Sequence, residues 1–166
     1  MGVRNVKLEG SCHCGAVRFS AESKAPMPFS RCYCTICRKT SGGGGYAINL
    51  LADARTLKID GEEHITVYRS KENDRGAYED DGLGFSRRHF CARCGSALWV
   101  HNPKWPDFLH PFASAIDTDL PKPPEIQSIM TAHAVNWVDL PVGPRFENYP
   151  EIGLEDWHRA HGVYLD

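Results

Sequence analysis

Apolar and polar residues along this chain alternate in short runs and seldom recur at a helical spacing. In Ala16-Val17-Arg18-Phe19-Ser20, Val17 and Phe19 flank Arg18, and Thr66-Val67-Tyr68 continues the theme. Successive side chains leave a strand on opposite faces, so a period of two marks a strand with one buried face. The same reading places further strands near residues 45–51, 55–59, 84–90, 96–101 and 126–132. Two segments read as helical. One is Thr35–Lys39, the turn after Cys34; the other is residues 151–161, where Ile152, Leu154, Trp157 and His158 could share a face. Residues 70–83 are charged and glycine-containing and read as an exposed loop. Gly42–Gly45 reads as a loose hairpin connection. Residues 102–124 hold six prolines and read as a long irregular connection. The expected fold is mostly β, made of short antiparallel strands with short helical segments, and residues 1–166 form a single domain.

Composition narrows the classes. The chain has 166 residues, of which 42% are hydrophobic, enough to bury a core. Its net charge is -2 and no basic stripe runs along it, which argues against nucleic acid or an anionic membrane as partner. No apolar run reaches the roughly 18 residues that a membrane span needs. The first residues, MGVRNVKLEGS, lack the apolar stretch of a secretory signal. Val6 stands where a myristoylation motif needs Ser or Thr. A cytoplasmic, reducing location is expected, where clustered cysteines serve metals more often than disulfides.

The seven cysteines fall in three clusters. Cys12 and Cys14 form C-x-C, Cys32, Cys34 and Cys37 form C-x-C-x-x-C, and Cys91 and Cys94 form C-x-x-C followed by Gly95. Zinc takes four ligands in a tetrahedron and suits thiolate sulfur. The C-x-x-C supplies two ligands and needs a second pair. Cys12 and Cys14 would complete it, leaving Cys32, Cys34 and Cys37 as a set of three. Three protein ligands with one open position are typical of a zinc that does chemistry. The other grouping strands a cysteine or puts five around one ion. A histidine such as His133 closing the second set is the competing arrangement, and it would make both sites structural. Disulfides fit poorly, because the count is odd and a C-x-C pair is cramped. The spacings also match neither common ferredoxin pattern.

Three stretches carry a resemblance: GSCHCGAVRF at 10–19, CYCTICRKTSG at 32–42 and RHFCARCGSALWV at 88–100, with a weaker echo in IQSIMTAHAVNWVDLP at 126–141. They resemble the glutathione-dependent formaldehyde-activating enzyme family, which includes centromere protein V. That resemblance implies a β-tent of small antiparallel sheets organised around zinc. It implies a structural zinc on Cys12, Cys14, Cys91 and Cys94, and a second zinc on Cys32, Cys34 and Cys37, two ions per chain with the second site open to partial occupancy. It also implies a carbon–sulfur lyase reaction run in reverse, joining glutathione to formaldehyde as S-hydroxymethylglutathione.

Cys32, Cys34 and Cys37 are thus the expected catalytic set. Three thiolates leave a zinc site at a charge of about -1, which favours handling a thiol over activating water. The small-molecule partner is expected to be an anionic thiol such as glutathione, whose carboxylates want cations. Arg38 and Lys39 follow Cys37 and are the expected substrate-binding pair; Arg87 and Arg88 precede the C-x-x-C and are further candidates. Trp99 and Trp137 could wall a pocket. His13, His89, His158 and His161 read as ordinary surface or core histidines. The residues also allow a non-catalytic zinc module that binds another protein, which predicts a closed fourth position and a sizeable apolar patch.

Overall fold

The computed structural model describes residues 5–71 and 79–163. Three small sheets carry the chain. In the first, β1 (Val6–Ser11) and β2 (Arg18–Ser23) form an antiparallel hairpin, and β6 (Lys58–Asp60) joins the free side of β2. Leu8 and Gly10 on β1, and Phe19 and Ala21 on β2, face inward in alternation with outward polar residues. Gly10 is required where it stands. A Cβ there would meet Ala115 O at 2.5 Å and the Phe19 ring at 2.5 Å.

The second sheet has five antiparallel strands: β5 (Ala52–Asp53), β10 (Phe108–Pro111), β9 (Ala97–His101), β8 (Arg87–Cys91) and β7 (Ile65–Tyr68), in that order. The third places β3 (Phe29–Cys32) between β4 (Ala47–Asn49) and β11 (Ile126–Ile129). β3 runs antiparallel to β4 but parallel to β11. The architecture is mostly β, as expected, with only two α-helices among the described residues, α1 (Thr35–Ser41) and α2 (Leu154–Ala160).

Several boundaries move. Strand β10 lies inside the stretch 102–124 read as irregular; its Pro111 closes the strand rather than interrupting it. Strand β3 was not among the expected elements. Residues 54–56 form a 3-10 turn capped by Asp53, and the strand near 55–59 starts only at Lys58. β11 ends at Ile129 because Met130 takes a left-handed backbone, φ 57°, and a 3-10 turn follows at 131–133. Gly42–Gly45 joins helix α1 to strand β4, so it is not a hairpin connection. Ile152 precedes α2 and is exposed, so it shares no helical face with the buried Trp157 and His158. Of the loop 70–83, residues 72–78 lie outside the described residues. Its later part is pinned, with Arg69 pairing to Glu79 at 2.9 Å and to Asp81 at 2.7 Å.

Two apolar clusters fill the interior. Leu8, Phe19, Leu98, Trp99 and Leu109 lie between the first and second sheets, together with Cys12 and Cys91. Val100, Phe112, Ile129 and Met130 pack around Cys32, Cys34 and Cys37. Each large side chain buried in this way contributes about 1.5–3 kcal/mol. Strand β8 connects the two regions. Arg88 and Cys91 are both buried and stand three residues apart, so strand alternation sends them to opposite faces.

Candidate metal centres and the adjoining cavity

The first cluster gathers two tight turns. Cys12 and Cys14 sit in the loop of the β1–β2 hairpin; Cys91 ends β8 and Cys94 lies in the turn that leads to β9. The turns match: Gly15 N–H donates to Cys12 O and Gly95 N–H to Cys91 O, with φ of 76° and 74°. Only glycine adopts that backbone without strain, so each pair is followed by the residue that lets it curl back. The four sulfurs lie within 4.8 Å of one another. Cys12 Sγ is 3.6 Å from Cys14 Sγ, and Cys14 Sγ is 3.8 Å from Cys91 Sγ. Tetrahedral zinc–thiolate bonds of about 2.3 Å place sulfurs about 3.8 Å apart, so the set fits such an ion. Val17 N–H donates to Cys12 Sγ at 3.2 Å. The Ser96 hydroxyl, then the Cys14 and Ser96 backbone N–H groups, hold the Cys94 thiol down at about 5.

The second cluster is buried. Cys32 ends β3, Cys34 caps α1, and Cys37 lies one turn into that helix. The cap is a sulfur one: Cys37 N–H donates to Cys34 Sγ at 3.3 Å. The three sulfurs lie within 4.8 Å of one another, and among the described residues no histidine or carboxylate joins them. His133 is exposed in the turn after β11 and does not close the set. All seven cysteines are free thiols. The donor set and spacing therefore suit a metal ion in both places.

Arg88 stands against the second cluster. It is only 7% exposed, and its Nη1 and Nη2 each lie 3.5 Å from Cys37 Sγ. Contacts with Cys32 and Cys34, then the guanidinium charge, hold the Cys37 thiol well below its ordinary range against burial. Contacts with Cys34 and Cys37, then burial, push Cys32 well up. Cys34 is pushed up to about 12: the contact with Cys32 works against this but is outweighed by Cys37 and burial.

Cys32, Cys34 and Cys37 line a cavity of about 630 Å³, within the range of small-molecule sites. Its walls are largely apolar and aromatic, with Phe85, Trp105, Phe108 and Trp157 among them. Ser30, Asn49 and Gln127 add polar groups, and among the described residues no carboxylate side chain lines it. His110 is fixed there by a 3.0 Å hydrogen bond between Nδ1 and Leu50 O. A carbonyl can only accept, so Nδ1 carries the proton and Nε2 the lone pair. Burial lowers the His110 pKa, keeping the ring neutral. Among the described residues, Arg88 and Lys104 are the Lys and Arg side chains of the lining, and Lys104 Nζ stands 3.9 Å above the Phe85 ring. Helix α2 closes one side and is itself anchored: Trp157 Nε1 donates to Glu125, and His158 bonds the Met27 carbonyl.

The expected substrate-binding pair is placed elsewhere. Arg38 is partly buried on α1 and Lys39 is exposed, and neither lines the cavity. Trp137 is 63% exposed and also stands off it. Trp99 packs in the core between Phe19 and His89, each ring centroid 4.9 Å away. His161, which caps the end of α2, bonds Trp157 O through Nδ1, so both His158 and His161 are engaged with backbone carbonyls. Lys104, Trp105, His110 and Trp157 were not singled out as site residues. Their segments carry no motif, and spacing does not tell which loop folds back over a sheet.

Fold and centres together define a β-sheet protein with two cysteine clusters, each able to hold a metal ion. The chain belongs to the glutathione-dependent formaldehyde-activating enzyme family, whose profile matches residues 7–132. It is 52% identical over 160 residues to a Halomonas elongata protein named "Putative glutathione-dependent formaldehyde-activating enzyme", covering 94% of this chain and 97% of that one. A Rhodobacter sphaeroides protein of known crystal structure is 25% identical, with a TM-score of 0.49 over 68% of this chain and 91% of that chain. Among the described residues no helix is long and apolar enough to cross a membrane.

Proposed function

We propose that this chain joins the thiol of glutathione to formaldehyde, giving S-hydroxymethylglutathione, or releases the two in reverse. The sulfur adds to the carbonyl carbon and the thiol proton ends on the carbonyl oxygen, so nothing is oxidised or reduced. This is carbon–sulfur lyase chemistry. The observation that carries the reading is the unequal placing of the clusters. Cys32, Cys34 and Cys37 open onto the large cavity, whereas Cys12, Cys14, Cys91 and Cys94 close on themselves and line no part of it.

In this reading Cys12, Cys14, Cys91 and Cys94 hold a structural zinc, and the whole chain, 1–166, is one domain. Cys32, Cys34 and Cys37 would hold a second zinc, which when bound supplies an open position where a thiol loses its proton at neutral pH. The chain's own residues do the rest. The aromatic walls exclude water around the reacting sulfur and carbonyl. The neutral His110 Nε2 can accept a proton within the same cavity. Lys104 offers a cation to a substrate carboxylate. A reducing cytoplasm, where the thiols stay free, belongs to the same account.

The test is exchange spectroscopy on glutathione and formaldehyde at equilibrium, with and without zinc-loaded protein. Faster exchange between free and hydroxymethylated thiol is expected. An unchanged exchange rate contradicts the assignment.

A further inference from the structure

Among the described residues, Arg88 is the one buried Lys or Arg. It is a guanidinium buried to 7% exposure, at the end of the cavity where the sulfurs lie, and both terminal nitrogens point at one of them. Among the described residues no carboxylate pairs with it: the nearby ion pairs belong to Arg69, just after β7, and to Arg87 on β8 itself, which hold Glu79 and Asp81. A buried charge needs a partner of opposite sign, and a pair broken by removing one member is strongly destabilised. The partner here is the thiolate set. The relation also works in reverse. Three thiolates around a divalent cation carry a net charge of about -1, and one guanidinium brings the buried assembly to neutrality.

We propose that Arg88 is the counter-cation of the Cys32–Cys34–Cys37 centre, a positioning residue on which metal retention at that centre depends, while the four-cysteine centre is indifferent to it. The inference rests on reading Cys32, Cys34 and Cys37 as a metal site. Its forked geometry matters as well as its charge. Two N–H groups on one sulfur fix where Cys37 Sγ sits relative to the other two. Partners behind a metal ligand commonly govern affinity by tenfold or more. Arg88 reaches this centre from the strand that also supplies Cys91 to the other one, yet it faces the opposite side. A substitution here therefore leaves the first centre's ligands in place.

The experiment compares wild type, Arg88→Lys and Arg88→Met as full-length zinc-loaded proteins. Each is titrated with a chromophoric chelator, and bound metal is counted at each step. Cobalt substitution gives the thiolate–metal spectrum of each centre. Methionine fills the space without a donor or charge, whereas lysine keeps the charge and one donor end. Wild type should hold two ions. Arg88→Met should release the weaker one at least about tenfold more readily, and Arg88→Lys should recover most of that loss. The spectrum of the tighter centre should not change in either variant, which also reports that each is folded. A packing role predicts the opposite order, with methionine better tolerated than lysine, and that order overturns the proposal. Wild-type retention in Arg88→Met overturns it too. A wild-type chain holding a single ion, at the four-cysteine centre, overturns both the proposal and the metal reading beneath it.

Discussion

Cys14 Sγ and Cys91 Sγ stand 3.8 Å apart although 77 residues separate them along the chain. The contact ties the β1–β2 hairpin of the first sheet to the end of β8 in the second. The two sheets also share an apolar cluster, and His13 N–H donates to Ser96 Oγ at 3.0 Å between the same turns. Ligands that converge only in the folded state make metal affinity part of folding free energy. Cys91→Ser, or strong chelation of the wild type, should therefore cost at least about 4 kcal/mol and lower Tm by roughly 10 °C or more. Thermal unfolding followed by circular dichroism checks it. A Tm unmoved by chelation would place the fold's stability in the apolar cores alone.

The second centre should behave differently. Serine at position 34 keeps an oxygen acceptor for the Cys37 N–H, so the cap of α1 survives. Cys34→Ser is expected to change stability by no more than about 1 kcal/mol, to lower bound zinc from two ions to one, and to abolish thiol exchange. Metal analysis and exchange spectroscopy on the same sample provide the check.

At the entrance to the cavity, Lys104→Gln should raise the KM for glutathione about three- to fivefold and leave kcat unchanged, the scale of one partly exposed ion pair. With a neutral thiol such as 2-mercaptoethanol the variant should match wild type. Equal effects on both thiols would show that Lys104 does not read charge.

The pH dependence of stability has a definite sign. Burial lowers the folded-state pKa of His110, and of His89, from the ordinary 6.5. Stability that is full above that pH is lost as pH falls, because the unfolded chain takes up protons that the folded chain refuses. Denaturant titrations of the zinc-saturated protein between pH 6.5 and 5.5 should show this loss. His110→Gln should remove about half of the slope. An unchanged slope would assign it to other groups.

Gly10 offers a test of the packing between hairpin and core. An added Cβ has nowhere to go, since Ala115 O belongs to backbone and the Phe19 ring is buried. Gly10→Ala should cost about 2 kcal/mol or more in a denaturation midpoint, with bound zinc unchanged.

Much of this arrangement was legible in the sequence where the chemistry is local. Cysteine spacing separated Cys12, Cys14, Cys91 and Cys94 from Cys32, Cys34 and Cys37, and Gly95 marked the C-x-x-C turn, whereas the matching Gly15 was not noticed. Period-two alternation found β2, β7, β8 and β9. What spacing could not supply was register across long loops. Strand β10 hid among prolines because they bracket it instead of breaking its ladder. β3 was missed because Arg31 and Ser30 interrupt its apolar pattern, and its parallel pairing with β11 depends on residues nearly a hundred positions away. Arg88 was visible as a charge near the C-x-x-C, but its contact with Cys37 is set by which face of β8 points to α1. Arg38 and Lys39 are adjacent to Cys37 in sequence, yet the helix turns them away from the cavity.

The central claim is that the three-cysteine centre takes a substrate thiol. Calorimetric titration of zinc-loaded protein with glutathione, and in parallel with S-methylglutathione, tests it most directly. The account predicts binding of glutathione with proton release, because a thiol that reaches zinc loses its proton, and much weaker binding of the methylated form without it. Equal binding of the two, or none of either, would contradict it.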